Sequence, residues 1–283
     1  MTIHRIYSLT SIGRPVDIKY ATNRYMLLLL VPTAIAALII AYLHERGGLD
    51  MLIYALSAIL AGFGSWALGR ELAPDDQAAA FAGMVLAVIV MLVSGPASTT
   101  YGLLVMFVTL GLVRQVNRTT GLEARLTDSL LLTALSIWVI YSTGNALFGV
   151  VAAVSFAMDG YLAKPLRRQW LYALIMAVAV IVYMVDHESS QKLYSLPDTL
   201  SKWVVVLIAF VFALNLLLKK NVTSVTDVGR KKLDVSRVRG GMLVALLVLI
   251  AGLSATYDIG LVAASAAGVC LASAIRRSFT NPV

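Results

Sequence analysis

Charge is the scarcest ingredient of this chain. Only 13% of its 283 residues are Asp, Glu, Lys or Arg, and none of these lies near the middle of a long apolar run. Ionisable groups at mid-membrane depth mark proton relays and ion pathways. Their lack argues against proton-coupled transport and leaves apolar or neutral solutes open. The single cysteine, Cys270, excludes a disulfide framework. Three scattered histidines, His4, His44 and His187, offer no metal cluster. No GxxxxGK[ST] phosphate loop is present. No short apolar core with a small-residue cleavage site comes before the first long run, so a cleaved signal is not expected.

What the chain has in excess is apolar surface. It is 59% hydrophobic with a mean hydropathy of +0.84, more than a soluble domain of this length could bury. The pattern predicts an all-α polytopic membrane bundle of about ten spans, each close to the length a bilayer core requires. They run roughly 25–43, 51–69, 78–95, 98–113, 127–143, 145–163, 170–186, 203–218, 240–256 and 258–275. This frames an N-terminal segment (1–24), a single bundle (25–277) and a short tail (278–283). With the N-terminus inside, all 23 lysines and arginines except Arg46, Lys192 and Lys202 fall on the cytoplasmic side. The positive-inside rule therefore places both termini in the cytoplasm, of a bacterial inner membrane on this reading. The net charge of +8 follows from that topology and from anionic lipid as neighbour. It does not call for nucleic acid.

The polar chemistry gathers in the cytoplasmic loops. Acidic groups there could hold Mg²⁺ against a diphosphate, and basic ones could bind its oxygens directly. The candidate phosphate-binding residues are Arg114, Arg118, Lys164, Arg167 and Arg168; the candidate metal ligands are Asp159, Asp75 and Asp76. Asp159 stands deepest, about one turn inside the sixth span. A faint repeat also links two such loops. GRELAPDDQAAAFAG (69–83), moved by 91 residues, meets GYLAKPLRRQWLYAL (160–174), pairing Gly69 with Gly160 and Pro74 with Pro165. The shift is an even number of spans, so the repeat would be parallel.

GRELAPDDQAAAFAG resembles the segment that opens the third helix in the UbiA-type prenyltransferase superfamily, written G-R-x-[LI]-S-P-x-x-A. LVRQVNRTTGLEARLTDSLLLTAL (112–135) is similar to that family's basic loop after helix four, and Asp159 stands where its second Asp-rich motif begins. The resemblance covers roughly residues 10–185. It implies a helical bundle that transfers a polyprenyl group from a diphosphate donor, with Mg²⁺ held between two Asp-rich motifs. The stretch that should carry the first motif reads AILAGFGSWAL (58–68), without a carboxylate. Expected partners are membrane lipids, a polyprenyl phosphate among them, and a protein docked on the basic loops. Two other readings stand beside this one. One is a ten-helix secondary transporter of a small solute, with Pro32 and the small residues at 61–64 and 263–268 easing a broken helix. The other is a noncatalytic subunit of a membrane complex.

Overall fold

The computed structural model describes residues 10–187, 199–254 and 259–280. His4, Arg5, Lys192 and the end of the tail (281–283) lie outside the described residues. Among those described there are ten helices: α1 (Ala21–Leu43), α2 (Gly48–Leu72), α3 (Gln77–Ser94), α4 (Pro96–Asn117), α5 (Leu126–Thr143), α6 (Ala146–Tyr161), α7 (Gln169–Asp186), α8 (Leu200–Leu218), α9 (Val235–Leu253) and α10 (Gly260–Thr280). Seven are long and apolar enough to cross a membrane, and α4, α6 and α10 carry shorter apolar stretches. This is a helical integral membrane protein. At about 1.5 Å per residue, the 18 residues of α7 span about 27 Å, close to the thickness of a hydrocarbon core.

The helices begin and end for local reasons. Asn145 caps α6 by accepting from the amides of Leu147 (3.0 Å) and Phe148 (3.4 Å), after Gly144 has turned the chain in the left-handed region at φ 68°. Asp234 caps α9 through the amides of Ser236 and Arg237 (2.8 and 3.2 Å). That cap starts α9 five residues before the position read from hydropathy, at Val235 instead of 240, and draws Arg237 and Arg239 into the helix. Hydropathy could not see this turn because it is polar.

The chain divides into two compact units, Met1–Pro15 with Val108–Thr256, and Val16–Phe107 with Tyr257–Val283. In the first, α6 packs on α7, α5 on both, and α9 on α6 and α8. Its interior holds Phe148, Phe156, Ile140 and Met176, and the rings of Phe156 and Tyr172 lie 5.6 Å apart. On α7 the inward positions Tyr172, Ala173, Met176, Val180 and Tyr183 alternate with exposed Leu171, Leu174, Val178, Ile181, Val182 and Val185. An apolar outer face of that kind belongs against lipid tails.

In the second unit, α3 packs on α2 and α10 through small residues. A Cβ added at Gly268 of α10 would lie 2.3 Å from the Gly83 nitrogen of α3, and one at Gly69 of α2 would lie 2.8 Å from the Ala80 Cα. Backbones approach this closely only where side chains are absent, the usual device of membrane helix pairs. Buried Ser65 and Ser265 add a 2.8 Å hydrogen bond between α2 and α10.

Candidate functional site

The deepest charged residue of the first unit is Asp159, in the last turn of α6. It is fully buried at 0% exposure, with Arg118 at 8% and Arg237 at 4% beside it. Both guanidiniums converge on one carboxylate oxygen. Oδ1 accepts from Arg118 Nε at 2.8 Å and Nη2 at 2.7 Å, and from Arg237 Nη1 at 2.8 Å. Oδ2 has no hydrogen-bond partner.

The arginines also bind backbone carbonyls. Arg237 donates to the carbonyls of Val116 (2.8 Å) and Ala163 (2.8 Å), and Arg118 donates to that of Lys164 (3.0 Å). The Val116 carbonyl belongs to the last turn of α4, and those of Ala163 and Lys164 to the turn that follows α6. One carboxylate thus faces two guanidiniums whose other donors meet backbone carbonyls. The cluster joins α4, α6 and α9. It also holds strained backbone: Arg118 and Lys164 occupy the left-handed region at φ 50° and 57°.

Beside this cluster opens a cleft of about 700 Å³. One wall is the turn after α6. The other is a hairpin unforeseen in the sequence, closed by a single antiparallel bridge between Val225 and Lys232 and by Thr226 N–H to Lys231 O at 2.8 Å. Thr226 Oγ1 accepts from the Lys231 amide at 3.1 Å and ties the turn. The hairpin leans on the loop after α4, where the Val228 amide donates to Thr120 O at 3.0 Å. Gly121 permits this contact, since a Cβ there would lie 2.7 Å from Val228 O. Val222, Leu233 and Val238 form its small apolar core.

Three exposed lysines line the cleft: Lys164 on the first wall, Lys231 and Lys232 on the hairpin. Among the described residues no carboxylate pairs with any of them. The acids on the cleft are Glu123 and Asp234. The Ser236 hydroxyl holds the Asp234 carboxyl below its usual range, burial opposes that, and the amides of Arg237 and Ser236 reinforce it. At neutral pH the cleft carries a cationic excess. Exposed Tyr161 and Trp170 flank the turn after α6, with the Trp170 indole against Gly160. Aromatic side chains in such positions sit at headgroup depth in a bilayer.

Of the residues singled out from sequence, Asp159, Arg118 and Lys164 come together here. Arg114 instead donates to Ile12 O (3.2 Å), Arg168 donates to Ala124 O, and the Arg167 side chain is exposed. Asp76 caps α3 and pairs with Arg276 at 2.8 Å, and the Asp75 carbonyl accepts from Arg276 at 3.4 Å, both within the second unit. A magnesium ion wants carboxylate oxygens and phosphates. At Asp159 it would sit beside two guanidiniums, and no group of three metal-ligating side chains exists among the described residues. This donor set does not fit Mg²⁺, and no chemical step is assigned to one. Sequence reasoning passed over Arg237, Lys231 and Lys232 as ordinary loop charge. The signal for Arg237 was the isolation of Asp159, since a buried acid demands a cation. The chain matches no family model, no curated protein and no solved structure.

Proposed function

We propose that this protein binds the phosphate head of a membrane amphiphile, an isoprenoid or lipid phosphate, in the lysine cleft of its first unit. The observation that carries the reading is the trio Lys164, Lys231 and Lys232, unpaired around a cleft at the level of Tyr161 and Trp170. A phosphate supplies the anion they lack, and a tail attached to it can lie along the exposed apolar face of a helix such as α7. Arg118 then serves as scaffold, because its guanidinium is already spent on Asp159 and Lys164 O. The cleft faces the cytoplasm, as the charge asymmetry of the loops expects, with both termini on that side.

The UbiA-type likeness agrees in substrate class. A parallel repeat also belongs to this reading: in each unit a close-contact glycine, Gly69 or Gly160, stands in the last turn of a helix ahead of a Pro-containing turn. Prenyl transfer itself finds no support, because Asp159 is engaged by Arg118 and Arg237 and Asp76 by Arg276.

Short-chain phosphatidic acid titrated into the protein in phosphatidylcholine nanodiscs tests this. Each lysine near a membrane surface contributes about 1 kcal/mol toward an anionic head. Replacing all three by Gln should therefore weaken binding about 100-fold, whereas Arg167→Gln with Arg168→Gln should cost far less. Equal affinity for short-chain phosphatidylcholine, or no loss in the triple variant, refutes the reading. Inorganic phosphate as competitor separates a lipid site from a soluble-anion site: it displaces the lipid only weakly if the tail contributes.

One observation favours the transporter instead. The Thr109 hydroxyl of α4, the Ser136 hydroxyl of α5 and both amide atoms of Gln115 are buried without hydrogen-bond partners. Uptake of a small polar solute into proteoliposomes, undiminished in the lysine triple variant, would favour that reading.

A further inference from the structure

The residues just ahead of α1 are bound to the first unit with unusual thoroughness. Asp128, in the first turn of α5, is buried at 3% exposure. Its Oδ1 accepts from the Thr10 hydroxyl at 2.6 Å, and its Oδ2 from the Ser11 amide and hydroxyl at 2.7 and 2.6 Å. The Arg125 amide adds a further donor at 3.2 Å. Ser11 O accepts from the Thr120 hydroxyl at 2.7 Å, and Ile12 O from Arg114 at 3.2 Å. Arg14 pairs with Asp227 at 2.6 Å.

Two of these contacts lead to the hairpin that walls the cleft. Asp227 opens the turn of the lysine hairpin, and its amide donates to Thr119 O at 3.2 Å. Thr120 is shared: its hydroxyl holds Ser11 while its carbonyl holds Val228 of the hairpin. Segment 10–14 and the hairpin therefore grip the same short loop, and Arg14 fastens one directly to the other.

We propose that residues 10–14 form a strap that positions the lysine hairpin over the cleft, with Asp128 and Asp227 as its anchoring residues. The proposal rests on the reading of the cleft as a phosphate site. The hairpin has one β-bridge and a three-residue apolar core, too little to fix it by itself. Strapped down, Lys231 and Lys232 are held opposite Lys164. Released, they are two flexible surface charges. The coupling is reciprocal, so a bound phosphate must also tighten the strap. A negative charge placed on Thr10 or Ser11 would stand against the Asp128 carboxylate and release it, which makes the N-terminal segment the control point for affinity at the cleft.

The test uses the full chain in nanodiscs with Ser11→Asp and Arg14→Ala. Arg14→Ala removes a partly exposed ion pair and leaves the buried anchor intact, so it serves if Ser11→Asp fails to fold. Amide exchange across 224–233 should quicken about tenfold in Ser11→Asp and about threefold in Arg14→Ala. Affinity for short-chain phosphatidic acid should fall by similar factors, and added phosphatidic acid should slow exchange at 10–14 in the wild type. Unchanged hairpin exchange in a folded variant overturns the strap, as does quicker exchange with affinity retained. If the wild type binds no phosphatidic acid, the phosphate reading fails on its own, and hairpin exchange alone then decides whether the strap exists.

Discussion

Replacing Asp159 by Asn removes the carboxylate that two buried guanidiniums share. The size of the effect follows from what each group keeps. Arg237 retains Val116 O and Ala163 O, and Arg118 retains Lys164 O. Neither is left without acceptors, but both lose their counter-ion while remaining 8% exposed or less. Breaking a buried ion pair by removing one partner costs about 3–5 kcal/mol. Here one substitution strands two charges: the amide oxygen can still accept at the Oδ1 place, but the negative charge is gone. Asp159→Asn should therefore fall in the upper part of that range. Arg118→Met should cost less, because Asp159 and Arg237 remain as a neutral pair. The triple variant Asp159→Leu, Arg118→Met, Arg237→Met leaves no buried charge. It forfeits the guanidinium hydrogen bonds to backbone carbonyls, at about 1 kcal/mol each, and should be more stable than Asp159→Asn. Equilibrium unfolding in mixed micelles, with all three variants against wild type, measures the order. An Asp159→Asn loss below about 1 kcal/mol, or a triple variant less stable than the single one, would show that the cluster is not an electrostatic joint between α4, α6 and α9.

Gly268→Ala should destabilise by about 1–3 kcal/mol, because the new Cβ meets the backbone of α3 at 2.3 Å and helices must part to admit it. Gly48→Ala, with nothing within 4 Å of the added Cβ, is the matching control in thermal unfolding. Asp234 supplies the pH dependence. Its folded pKa lies below the ordinary 3.8, so the cap is at full strength above that value and is lost as pH falls through the lower folded one. The Ser236 and Arg237 amide resonances should report this loss below pH 3.8, and Asp234→Asn should abolish the titration.

Helix positions were legible because a membrane forces them. Seven apolar helices of bilayer length have few folds open to them, and the predicted 127–143 and 170–186 differ from the observed Leu126–Thr143 and Gln169–Asp186 by one residue. The site was legible only as a neighbourhood. Sequence pointed to Asp159 because an acid near a span must be explained, and it grouped Arg118 and Lys164 with it by loop. It could not say that Arg118 is spent on Asp159 while Lys231 is not, since both read as cytoplasmic positive charge. Four basic loops offered many partners for one carboxylate, and only the fold selects among them.

The same limit applies to GRELAPDDQAAAFAG. As sequence it shows two adjacent aspartates at a helix start, which suits a metal ligand and a cap equally well. The Asp76 carboxylate accepts from the Ala78 amide and meets Arg276 of α10. An aspartate at this position satisfies an orphan amide and the helix dipole together, so it needs no metal to account for it. Moved by 91 residues, Asp75 and Asp76 meet Leu166 and Arg167, and Arg168 at the head of α7 makes no side-chain cap. What the two stretches share is the glycine and the proline turn. The charges differ, and in the first unit it is the lysine just before that turn, Lys164, that is left open to a ligand.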